Sequence, residues 1–281
     1  MESKISPFSA LQFTNFRNYQ IGAFISEIGN QMQVVAVAWQ VYEITHNPVS
    51  LGLIGHANLL PILFFSLLGG LAADKVDRKK LLLISQSAQA ILASALLLLT
   101  FLNLVNPVWI YLILFFIAVA QSFSLPVRQS LIPQLVPKQY LMNATSLGTL
   151  QYQSATLIGP AIAGFLIGGV GVTGVYLLNA VSFLFFITAI FSIKVPFQKH
   201  NQENVEFSLS GIWFGIKFVL DTPILYNTMI LDFLATFFGE ATILMPVFAK
   251  DVLRYKEEID KKRLAILEEL ANEAQKHNMG Y

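Results

Sequence analysis

Seven mostly apolar runs, each about twenty residues long, follow one another along the chain, at 20–42, 51–73, 81–102, 109–125, 143–167, 172–193 and 226–248. A helix needs roughly 20 such residues to cross about 30 Å of hydrocarbon. A single run of this kind fits a buried helix of a water-soluble domain; seven in succession predict a polytopic membrane protein. Strands of a membrane barrel would alternate apolar and polar residues over about ten positions, and these runs do not alternate. Lipid offers no hydrogen bonds to the backbone, so the runs must be helices and the fold class is all-α. Composition agrees: 12% of residues are charged and 55% hydrophobic, where a soluble domain carries about 25% charged. A net charge of +1 gives no electrostatic case for nucleic acid, and the lack of cysteine removes disulfides and thiolate metal sites.

The short connections differ sharply in charge. One side receives Lys4 and Arg17, then Lys75, Arg78, Lys79 and Lys80, then Arg128 and Lys138, then Lys194, Lys199 and Lys217; the other receives "THNPVS", "NLVNP" and "GGVG", without Lys or Arg. Cytoplasmic loops collect the cations, which predicts a cytoplasmic N-terminus in a plasma (inner) membrane. Four regions follow. Residues 1–193 form a six-helix transmembrane unit, 194–223 a cytoplasmic linker with an amphipathic helix near 208–220, 224–250 a seventh span, and 251–281 a charged helical tail. The linker helix either lies in the lipid interface or packs on the membrane unit. In the tail, Glu257–Lys261 and Glu258–Lys262 are i,i+4 pairs, and Ile259, Ile266, Leu267 and Leu270 share an apolar stripe.

Polar groups inside spans are costly and are functional candidates by default. The first run, the most polar, holds Glu27, Asn30, Gln31 and Gln33. Glu27 sits too far above Arg17 to snorkel and is the candidate proton carrier; a glutamate hydrogen-bonded to neighbouring helices is the alternative. Gln151 and Gln153 in the fifth run, and Asp232 and Glu240 in the seventh, come second. Arg128 is placed at the cytoplasmic end of the fourth run, snorkelling or pairing with the loop between the second and third. Trp39, Tyr42 and Tyr152 either stack on an amphiphile or anchor span ends. In "ATLIGPAIAG", Ala155, Gly159 and Ala163 fall on one helix face, where small residues permit close helix approach, and Pro160 removes a backbone donor and can bend the helix. The densest charge cluster is "GGLAADKVDRKKLLL", residues 69–83. One helix is expected to end near Ala73 and the next to begin near Asp77, with Asp74 able to pair with Arg78 or with a helix N-terminus.

That loop resembles the cytoplasmic signature of the major facilitator superfamily through Gly70, Asp74, Lys75, Arg78 and Lys79. Asp77 stands where the signature often has a second glycine, a departure typical of the drug- and siderophore-exporter branch. Further matches are "AVAWQVYEIT", "LPVRQSLIPQLVP", "LMNATSLGTLQYQSATLIGPAIAG", "LLNAVSFL" and "DFLATFFGEATILMPVFAKDVL", so that the resemblance covers about residues 10 to 253. It implies a latch role for Asp74 with Gly70, Arg78 and Lys79, in which the carboxylate contacts the opposite half of a transporter. It also implies an antiporter-like motif in Ala155, Gly159, Pro160, Ala163 and Gly164, associated with exporters driven by inward proton flow. Family members often carry an acid at the position of Asn30, which tells against a proton role there.

The function expected from the resemblance is proton-coupled export of an amphiphilic small molecule of the drug or siderophore class. No P-loop, His-Glu-x-x-His motif or nucleophile elbow is present, and His46 and His56 are isolated, so neither an enzyme nor a cofactor is expected. Full transporters of this superfamily have two six-helix halves with the substrate between them. This chain carries one half and one further run, which reads as truncation. The expected partners are therefore the bilayer, the substrate, protons, and a missing C-terminal half or a second copy. The alternative is a non-transporting membrane fragment or regulatory half-protein.

Overall fold

The computed structural model describes residues 8–193, 217–239 and 245–247. A single 3₁₀ turn, Ser9–Gln12, precedes α1 (Thr14–Thr45), α2 (Val49–Lys75), α3 (Arg78–Phe101) and α4 (Pro107–Leu135); a second turn, Lys138–Tyr140, leads into the helical run Leu141–Ser192, and α7 spans Pro223–Gly239. The long run is two helices, α5 (141–170) and α6 (172–192), because Gly171 alone leaves helical geometry, at φ 76° and ψ −179°. A positive φ carries no Cβ penalty in glycine, so the expected "GGVG" loop shrinks to one residue. The starts of α3 and α4 are closed by side chains. Asp77 accepts from the Lys79 and Lys80 amides at the start of α3. Asn106 accepts from the Trp109 amide at the start of α4, where Pro107 needs no donor.

Side-chain contacts give the helix directions. Gln20 of α1 donates to the Leu147 carbonyl, and Gly159 abuts Gln31, so α1 and α5 run parallel. Gly22 abuts Phe186 and Ala189, Gly29 abuts Ser182 and Asn179, and Tyr176 donates to Gln40, so α6 runs antiparallel to α1. The chain therefore reverses at Gly171. Tyr111 bonds the Ser50 carbonyl and Gly69 abuts Ser122, which makes α2 and α4 parallel. Six helices thus pass up and down, with the basic connections at one end and the uncharged ones at the other.

Four helical stretches are long and apolar enough to cross a membrane among the described residues: Val49–Gly70, Arg78–Phe101, Pro107–Leu135 and Lys138–Ser192, the last containing both α5 and α6. Helix α1 has 32 residues, ample length for a crossing at about 1.5 Å per residue. It is more polar because it is the most enclosed helix, with Gln20, Ser26, Gln33 and Gln40 all buried. Two apolar cores stack along the bundle. One at the uncharged end joins Met32, Val37, Val41, Leu51, Leu96, Ile110 and Tyr176; the other, at the basic end, joins Phe16, Tyr19, Leu82, Leu131, Phe186 and Ile190. Outward surfaces are apolar, as lipid requires: Leu63, Phe64, Leu157 and Phe165 are exposed, and so is every α7 side chain that is described.

Two boundaries differ from the sequence reading. The fourth run continues to Leu135 instead of ending at residue 125, which puts Arg128 inside α4. The seventh helix begins at Pro223 and is described to Gly239, with one further turn at Met245–Val247. Only 217–220 of the expected linker helix is described, and it is helical; the tail 251–281 lies outside the described residues.

Candidate functional site: a polar cleft in the bundle

Between the two apolar cores, a cleft of about 460 Å³ opens among α1, α2, α3, α4 and α5. Its polar lining comes from Glu27, Asn30, Gln31 and Gln33 of α1, Asn58 of α2, Gln89 of α3, Gln121, Ser124 and Arg128 of α4, and Tyr152 of α5. Val34, Val37, Ile54, Leu114, Ile117 and Leu125 supply the apolar wall. Amides donate and accept without carrying charge. An apolar wall with a few convergent polar groups suits a small molecule having both kinds of surface.

One ion pair sits in this lining. Arg128 Nη1 lies 3.7 Å from Glu27 Oε2, with the side chains only 17% and 15% exposed. Gln31, one turn above Glu27, donates to Glu27 Oε1 at 3.2 Å. The Arg128 guanidinium lies over the Phe186 ring, 4.8 Å from its centroid, and Tyr19 meets that ring edge-on at 5.7 Å. Arg128 is thus held by a carboxylate on one side and an aromatic face on the other. It is drawn inward to Glu27 and Phe186, where the sequence reading expected it to snorkel or to pair with the charged loop. Breaking such a pair by removing one partner leaves a poorly solvated charge, a cost of about 3–5 kcal/mol for a fully buried case.

The structure gathers Glu27, Asn30, Gln31, Arg128 and Tyr152 in the cleft and leaves other candidates outside it. Gln151 is half-buried on α5 and not part of the lining. Asp232 is exposed on α7. Glu240 lies outside the described residues. Tyr42 is buried in the apolar core, not available for stacking. Asn58, Gln89, Gln121 and Ser124 were missed. Each is a polar group inside an apolar run, the same signal that marks Gln31.

In the small-residue motif of α5, Ala155, Gly159 and Ala163 are buried along one face. A Cβ on Gly159 would collide with Gln31, so the α5 backbone closes against α1 beside the cleft. Pro160 is half-buried and the helix continues through it, while Gly164 is exposed with open space around it. In the charged loop, Gly69 is the glycine in tight contact, against the Ser122 backbone of α4; Gly70 faces open space. Asp74 lies in the last turn of α2, and its side chain is outside the described ones. Arg78 Nη1 donates to the Ser130 carbonyl at 2.9 Å. Lys79 Nζ donates to the Phe191 and Ile193 carbonyls at 3.0 and 2.6 Å. The two cations tie the start of α3 to α4 and to the end of α6.

Residues 5–258 match the family described as transmembrane secretion effector. Among curated relatives, the staphyloferrin A transporter of Staphylococcus aureus is 28% identical over 177 residues, which is 63% of this chain and 44% of that protein. The enterobactin exporter EntS of Shigella boydii is 27% identical over 234 residues, 83% of this chain and 56% of that protein. The multidrug efflux pump Tap of Mycolicibacterium fortuitum is 24% identical over 238 residues, 82% of this chain and 58% of that protein. The chain spans about half the length of the curated relatives it matches. With a polar cleft inside an all-α, multi-pass bundle and a family match over most of its residues, this chain belongs to the transmembrane secretion effectors of the major facilitator superfamily.

Proposed function

We propose that this chain supplies the N-terminal half of a proton-coupled exporter of amphiphilic small molecules of the drug or siderophore class. The observation that carries the reading is the Glu27–Arg128 pair facing a cleft otherwise lined by neutral amides and apolar side chains. Relatives that transport a siderophore, export a siderophore and pump out drugs support the substrate class.

In this reading Glu27 is the proton carrier. While ionised it holds Arg128, with Gln31 fixing its other oxygen. Once protonated it can no longer balance the guanidinium charge, and the walls of the cleft rearrange around the freed cation. Asn30, Asn58, Gln89 and Gln121 meet the polar parts of the substrate; Val34, Leu114 and Ile117 meet its apolar parts. The N-terminus lies in the cytoplasm of a cell bounded by the plasma (inner) membrane, and a second six-helix half, either a C-terminal half or a second copy, closes the cleft from the side of α2 and α5. Asp74 latches the two halves.

The test is efflux of a fluorescent amphiphile from loaded cells expressing the full chain, repeated with an imposed pH gradient. Glu27→Gln is expected to abolish the response to the gradient while the protein still inserts and binds the probe. Gradient-driven efflux unchanged in Glu27→Gln would remove Glu27 from the mechanism. No efflux from the wild-type chain, with or without its relatives' second half co-expressed, would favour a non-transporting membrane protein.

A further inference from the structure

Behind the cleft, at the level of Phe186, three side chains carry buried polar atoms that meet no protein partner. Gln86 is fully buried, and neither its Oε1 nor its Nε2 has a donor or acceptor in reach. Ser26 is fully buried with its Oγ unpartnered. The Nε of Arg128 is buried and unpartnered, although the same guanidinium reaches Glu27 and covers Phe186.

Helix register brings the three to one layer. On α1, Gly22 abuts Phe186 and Gly29 abuts Ser182; Ser26 lies on the same face between them. Helix α3 runs antiparallel to α6, with Lys79 bonded to Phe191 and Ile193 and with Ala90 and Ala93 packed on Phe183. Gln86, one turn before Ala90, therefore stands beside the Phe186 turn of α6. Buried polar groups are nearly always paired, with protein or with ordered water. An internal water typically makes about three bonds to groups otherwise unsatisfied. Here the Nε donor, the amide acceptor and donor of Gln86, and the Ser26 hydroxyl form a complementary set.

We infer that structural water occupies this layer, held by Gln86, Ser26 and the Nε of Arg128. Its existence is independent of the exporter proposal; its role rests on it. When Glu27 takes up a proton, Arg128 loses its counter-charge. A bare guanidinium in low dielectric is costly. Water bridging to Gln86 Oε1 solvates it from behind, so that the protonated state of Glu27 becomes reachable without exposing Arg128 to the cleft. Gln86 is then a positioning residue for Arg128 and touches neither substrate nor proton.

The water site is tested by X-ray hydroxyl-radical footprinting of the purified full chain in lipid nanodiscs, which modifies side chains beside bound water even when they are buried. Phe186 and Tyr19 are expected to react several-fold faster than Tyr176, which is equally buried but fully packed near the other end of the bundle. Phe186 reacting as slowly as Tyr176 in the wild-type chain would overturn the site, with no variant needed. Gln86→Leu is expected to slow Phe186 several-fold and leave exposed Tyr152 unchanged; no slowing would remove Gln86 from the site. For the role, Gln86→Leu should shift the pH dependence of gradient-driven efflux to lower pH, with Gln86→Asn shifting it less. An unchanged pH profile would overturn the role. A hydrated Phe186 in a chain that exports nothing would uphold the water site and defeat the exporter reading instead.

Discussion

At the scale of single residues, the bundle depends on positions where one carbon decides whether α1 fits among its neighbours. A Cβ at Gly29 would collide with Ser182 Oγ and Asn179 Oδ1, and one at Gly159 with Gln31. Gly29→Val is expected to lower stability by about 1–3 kcal/mol, the usual range for overpacking a core. Gly164→Ala, in open space, should be neutral or slightly stabilising. Thermal unfolding of both variants in one detergent checks the contrast. Beside Gly29, Asn179 donates to Gln33, and Ser182 bonds the Asn179 carbonyl at 2.7 Å. Asn179→Leu strands a buried Gln33 amide, at about 1–3 kcal/mol. The double change Gln33→Leu with Asn179→Leu removes both partners and should cost less than Asn179→Leu alone. A double variant weaker than the single would show that the pair is not the source of the loss.

At the scale of elements, the connection from α2 to α3 has work inside the helix bundle itself, apart from the proposed latch. Asp77 occupies the N-cap of α3 and satisfies two amides; glycine at that position would supply no side-chain acceptor, which gives the departure from the family signature a local reason. Asp77→Ala should cost about 1 kcal/mol and Asp77→Asn much less. Lys79 closes the other interface by bonding the last carbonyls of α6, a cation set against a helix C-terminus where the dipole is negative. Lys79→Met is expected to expose the end of α6, read as faster amide hydrogen exchange at residues 190–193, while exchange at the Gly171 turn stays unchanged. Equal exchange in wild type and variant would show that the contact contributes little.

At the scale of the whole molecule, the pattern of exposure describes the solvent. Leucines and phenylalanines on the outward faces of α2 and α5, and the described leucines of α7, are open, whereas Gln33, Gln40, Gln86, Gln89, Asn179 and the cleft ion pair turn inward. A water-soluble protein with such surfaces would aggregate; a bilayer makes them ordinary. The absence of cysteine makes topology directly measurable. Cysteines placed at Lys80 and at Leu104, both exposed and at opposite ends of α3, should react with an impermeant thiol reagent from opposite sides of the membrane, Lys80 from the cytoplasm. Labelling of both from one side would defeat the topology.

The sequence alone determined the helical class and the number of long helices in the first 193 residues, because both follow from local runs of apolar residues measured against the thickness of hydrocarbon, and it showed which connections carry the cations. It also singled out Glu27, Asn30 and Gln31, since a polar group within such a run is conspicuous, whereas it set Arg128 at the cytoplasmic end of its run. Only the tertiary structure decided which polar groups meet. Glu27 and Arg128 are a hundred residues apart, and their pairing depends on α4 continuing past Pro126 and Pro133 to carry Arg128 inward. Gln89 and Gln121 join the cleft, and Gln86 turns away from it into the core, because helix rotation is set by packing partners and not by the residues themselves. Gln151 looked equivalent to Gln31 in sequence, yet only Gln31 lies where Gly159 lets α5 close on α1. A side chain's depth along a span can be read from a run of letters; the neighbour it faces is chosen by how six helices fill the space between them.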